Sequence, residues 1–126
     1  VCILWEFLNK KKRINQKIIG IDYYLPFIEI ANNNYQKLFK KKGNWIHSNI
    51  KDFDFKEINK SLILYLYNPF DEIMLEQLLI NIKDIPVYII YNIPMHWDVI
   101  DKYGYRRIFY KTGKNQNQFT VIYTNI

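Results

Sequence analysis

Val1, Ile3, Leu4 and Phe7-Leu8 repeat with the three- and four-residue spacing of one helical face, and the stripe runs out in Lys10-Lys11-Lys12-Arg13. This predicts the back half of an amphipathic helix ending near Asn15. Lys17-Ile18-Ile19-Gly20-Ile21-Asp22 is a short apolar run closed by an acid. It reads as a buried parallel strand in which Gly20 marks a close approach to the backbone. Tyr24-Leu25-Pro26 opens a second helix, because the N–H that proline lacks would be unpaired in a first turn anyway. Ile28, Ala31, Tyr35 and Leu38-Phe39 form its expected buried face, Lys40-Lys41-Lys42 ends it, and Gly43 is the expected residue just past its end.

The same alternation continues. Asn44 to Ser48 reads as a strand, and Asn49 to Lys60 as a connection with one short helical turn. Ser61 to Tyr67 is the clearest buried strand and stops at Asn68-Pro69-Phe70. Asp71 to Lys83 returns to helical spacing through Ile73, Met74, Gln77-Leu78 and Ile82. Pro86 to Tyr91 is a strand, and His96 to Tyr103 a short helix closed by Gly104. Tyr105 to Lys111 and Gln118 to Tyr123 are two strands around a Thr112-Gly113-Lys114-Asn115 turn. Strands alternating with helices imply an α/β fold with mostly parallel pairing and helices on both faces. The last two strands are too closely joined for a crossover, so they form an antiparallel hairpin. At 126 residues the chain is long enough for a single domain spanning 1–126.

Composition changes this picture little. The formal charge of +6 suits a polyanionic partner, but much of it sits in the two lysine runs, where cations suit a helix end and its dipole. A single cysteine, Cys2, excludes a disulfide framework or a cysteine-based metal site, and the cytoplasm is the expected compartment. No apolar run is long enough to span a bilayer, so no membrane partner is expected. His47 and His96 have no partner at metal-ligand spacing. The first residues already read as the inside of a helix, so the chain is expected to come from something longer.

Open α/β sheets bind ligands beyond the carboxyl ends of their strands. Asp22 follows the first strand, where an acid accepts hydrogen bonds from both ribose hydroxyls of a nucleoside cofactor or simply caps the next helix. Tyr23 beside it offers a flat face for an adenine, or is a core tyrosine. Asn49, after the next strand, carries a carbonyl for an adenine amino group, with the backbone N–H of its neighbour Ile50 meeting a ring nitrogen. The alternative is an Asx turn. Tyr67-Asn68-Pro69-Phe70 follows the central strand. There Tyr67 is a candidate cofactor contact, and Asn68, which offers an acceptor, and Phe70, which offers a stacking face, are candidate catalytic residues. A capping Asn68 with Pro69 in the first helical turn is equally compatible. Asp22, Asn49 and Asn68 are expected to converge on one rim of a common sheet.

Ile18-Ile19-Gly20-Ile21-Asp22-Tyr23 and the following Glu29-Ile30-Ala31 resemble the stretch after the glycine-rich motif of class I S-adenosylmethionine-dependent methyltransferases. Asn44 to Ile50 looks like that family's third strand, with Asn49 where the adenine-contacting residue is often Asp. Leu64 to Phe70 looks like its fourth motif, and Gly104-Tyr105 like the approach to its last strands. The resemblance implies a Rossmann-like sheet of order 3-2-1-4-5-7-6 with strand 7 antiparallel. It also implies that the first strand and glycine-rich loop lie ahead of Val1. The implied cofactor is S-adenosylmethionine, and the methyl acceptor (small molecule, protein or nucleic acid) is unidentified, as is the oligomeric state. An NAD-binding Rossmann oxidoreductase shares the acid after strand 2, and a non-catalytic scaffold would share the sheet alone.

Overall fold

A computed structural model describes residues 1–58, 60–67, 70–114 and 119–126. The chain divides into two compact units, Val1–Phe53 and Asp54–Ile126.

The first unit contains α1 (Cys2–Lys12), β1 (Gly20–Asp22), α2 (Leu25–Phe39) and β2 (Trp45–His47). The apolar stripe expected to bury α1 does not do so. Leu4, Phe7 and Leu8 are exposed, while the buried residues of α1 are Glu6 and Asn9. Polar contacts hold this helix beside the contact of the Phe7 and Phe39 rings. Glu6 pairs with Lys41 Nζ at 2.6 Å, and the Asn9 side-chain amide donates to the Gln16 carbonyl at 2.9 Å. α2 begins as expected, with proline in its first turn, and buries Tyr35 and Phe39. It ends at Lys40, not Gly43. Lys40 takes the left-handed conformation at φ 57 and donates its N–H to the Gln36 carbonyl.

The two glycines serve Trp45 instead. A Cβ on Gly20 would overlap Cε3 and Cζ3 of the indole, and one on Gly43 would overlap its Nε1. Both positions are therefore restricted to glycine by the ring that lies against them, which also meets Tyr35 edge-on at 5.6 Å. β1 and β2 pair in parallel, Gly20 with Trp45, Ile21 with Ile46 and Asp22 with His47, and α2 is the crossover between them.

The second unit contains β3 (Leu62–Tyr67), α3 (Glu72–Ile82), β4 (Val87–Asn92), α4 (Trp97–Lys102), β5 (Arg106–Thr112) and β6 (Phe119–Thr124). Its sheet has the order β3-β4-β6-β5. β3 and β4 are parallel, and β6 is antiparallel to both β4 and β5. The core lies on one side of this sheet. Val87, Ile89, Tyr91, Val121 and Tyr123 are buried, as are Leu75, Leu78, Leu79 and Ile82 of α3 and Val99 and Ile100 of α4. α4 is fastened to the same side by Arg107, which pairs with Asp101 at 3.0 Å and stacks on Trp97 at 4.9 Å. β3 was expected to be buried throughout. It alternates instead, with Leu66 buried and Ile63, Tyr65 and Tyr67 exposed.

Local chemistry sets the joins. Asp71 caps α3 by accepting the Met74 N–H at 2.8 Å. Gly104 closes α4 at φ 76, a conformation that favours glycine. Ile93 also has a positive φ, 52°, just past β4, and its N–H donates to the Phe119 carbonyl at 2.7 Å. Among the described residues, no helix is long and apolar enough to cross a membrane.

Candidate functional site

In the first unit the parallel register sets Asp22 opposite His47. The residues that follow, Tyr23 on one strand and Ser48-Asn49-Ile50 on the other, therefore leave the sheet at the same end. Two hydrogen bonds fasten the two departures together. The Ser48 N–H donates to the Asp22 carbonyl at 3.0 Å, and His47 Nε2 lies 2.9 Å from the Tyr23 carbonyl, which it meets as a donor in the Nε2–H tautomer. His47 is thus a satisfied rim histidine, whose partner is set by the register between the strands.

Each predicted residue on this rim also has a local task. Asp22 Oδ1 accepts the Tyr24 N–H at 2.8 Å, which turns the chain into α2. Asn49 Oδ1 accepts the Lys51 N–H at 3.2 Å and caps the 3-10 turn Ile50–Asp52. The capping and Asx-turn alternatives are thus both realised. For Asp22 this leaves capacity, since a carboxylate has about four lone-pair sites on two oxygens and Oδ2 has no hydrogen bond among the described residues. Tyr23 is 75% exposed, so its ring is open to a ligand and it is not a core tyrosine. Asp22, Tyr23, Asn49 and Ile50 are brought together at one end of one parallel pair.

In the second unit Tyr67 ends β3 opposite Asn92 and is 60% exposed. Asn92 belongs to a polar row that the sequence did not suggest, its Oδ1 accepting from the Thr120 hydroxyl at 2.7 Å on the neighbouring strand. Asn68 and Pro69 lie outside the described residues. Phe70 is half-buried at the start of the turn into α3, directly before the capping Asp71. Tyr91 is buried one residue inside the rim, and burial raises its phenol above the ordinary value. Among the described residues, no cluster of His, Cys, Asp and Glu could hold a metal ion.

No protein-family model matches the chain, and a search of curated proteins returns no significant match.

Proposed function

We propose that the chain is a Rossmann-like, class I S-adenosylmethionine-dependent methyltransferase. The observation that carries this reading is strand order. The resemblance implies the order 3-2-1-4-5-7-6, which reads 3-2 on one side of strand 1 and 4-5-7-6 on the other. The two sheets have the orders β2-β1 and β3-β4-β6-β5, and β6 is the antiparallel strand between two that run together. An antiparallel strand in that position is not something a dinucleotide-dependent dehydrogenase requires, and the methyltransferase reading is preferred on that ground.

The first rim fits the nucleoside half of the cofactor. Asp22 would accept from the ribose hydroxyls through the oxygen that does not bind Tyr24, and the exposed ring of Tyr23 would cover an adenine face. Asn49 fits less fully, because its carbonyl already accepts from Lys51, so the Ile50 N–H carries more of the adenine contact. When bound, the cofactor supplies a methyl group already activated on a sulfonium. What remains for the protein is to bind, to align and to exclude water, and a strong general base is not needed. The test is transfer of labelled methyl from S-adenosylmethionine to pooled metabolites, RNA and protein extracts. Label in one acceptor class supports the reading, whereas no transfer together with binding of NAD would overturn it.

A further inference from the structure

The two lysine runs are separated by nearly thirty residues in sequence, yet the fold of the first unit brings them side by side. The Phe39 ring at the end of α2 lies 5.0 Å from the Phe7 ring of α1, and Lys10 Nζ lies 4.7 Å over the same Phe39 ring. Lys41, just past α2, reaches back to Glu6 of α1. The carboxyl ends of both helices therefore adjoin. Lys10 to Arg13 on one and Lys37, Lys40 and Lys42 on the other are all exposed, and none is ion-paired among the described residues. Glu6 is the one acid at this end of the unit and is already held by Lys41. Asp22, Glu29 and Asp52 belong to the other end, at the close of β1, the start of α2 and the turn after β2.

Helix-dipole complementarity explains a lysine or two in a last turn, but not where the charges continue. Both helices end on a cation in the left-handed conformation, Arg13 at φ 53 and Lys40 at φ 57. That conformation costs a residue with a Cβ about 1 kcal/mol or more and is usually left to glycine. At both ends, charge occupies the position where glycine would be the more stable choice.

We propose that this paired helix end is a docking surface for the phosphate backbone of a nucleic acid. An anionic membrane is the less suitable polyanion. A helix lying on a bilayer separates charge from apolar residues around its axis, whereas here the cations are gathered at the ends of α1 and α2. The surface is at the opposite end of the β1–α2–β2 unit from Asp22 and Asn49, so it stands independently of the methyl-transfer reading.

The test is fluorescence anisotropy of a labelled 20-base-pair DNA duplex with the full chain. A surface that neutralises about four phosphates gives a slope near −3.6 in log affinity against log salt, roughly a hundredfold loss between 50 and 200 mM. Arg13→Gly combined with Lys40→Gly removes two charges and relieves two left-handed residues. This double variant should melt no lower than the wild type, bind about tenfold more weakly and lose about two from the slope. Lys11→Gln with Lys42→Gln, both at exposed positions, should weaken binding similarly. Three results would each overturn the proposal: no duplex binding at 50 mM salt, unchanged binding by both double variants, or retention on phosphatidylserine vesicles without duplex binding.

Discussion

At the scale of single residues, two contacts hold the first unit together in ways that substitution exposes. The indole of Trp45 lies where side chains on Gly20 and Gly43 would be. Gly20→Ala should destabilise the protein by about 1–3 kcal/mol, as overpacking does. Combining it with Trp45→Leu should recover much of that loss, which a double-mutant cycle by denaturant unfolding measures. The second contact is ionic. Hydrogen bonding from Lys41 holds the Glu6 carboxyl below its ordinary value, against an opposing push from its own burial, and the same bond raises the Lys41 ammonium. A depressed carboxyl stabilises the fold above its unfolded value and stops doing so as pH falls through its folded value. The raised ammonium mirrors this, with stability present below its unfolded value and lost as pH rises through the folded one. The pair therefore contributes across neutral pH. Glu6→Gln should lower the melting temperature at pH 7 by about 5 °C or less and flatten the acid limb of a melting-temperature profile.

Elements were legible where local chemistry decides them. Proline in the first turn of α2, the glycine closing α4 and the strands β2 to β6 lie where the pattern places them, within a residue or two, whereas β1 begins only at Gly20 of the run that starts at Lys17. The misreadings share a physical cause. Periodicity shows which side of α1 is apolar but not what faces it, and the structure buries Glu6 and Asn9 on polar partners that periodicity does not show, Lys41 far along the chain and the nearby Gln16 carbonyl. Gly43 was read as a helix-ending glycine because its need for space against Trp45 depends on tertiary packing. Asp22 and Asn49 were legible as rim residues, but the bonds from His47 and Ser48 that join their strands depend on register. β5 shows a different kind of design. It is an edge strand with every residue exposed, and it carries Arg106, Arg107 and Lys111 and a register break between Arg107 and Phe109. Charge and irregularity are the usual protections against edge-to-edge pairing. Replacing Arg106 and Lys111 with valine should therefore promote self-association, seen as earlier elution in size-exclusion chromatography at equal protein concentration.

At the scale of the whole molecule, the account depends on the strand order within each sheet and on the set of polar and aromatic groups at the end of the first. The helix-joined parallel pair β1–β2 puts Asp22, Tyr23, Asn49 and Ile50 on one rim, and open sheets of this kind bind ligands there. The most direct measurement is a calorimetric titration of the full-length protein with S-adenosylmethionine, as wild type and as Asp22→Ala. The account predicts that the wild type binds, and that the substitution weakens binding by about 1–3 kcal/mol through loss of a charge-assisted hydrogen bond. Equal affinity in the two proteins, or no binding by either, would contradict it.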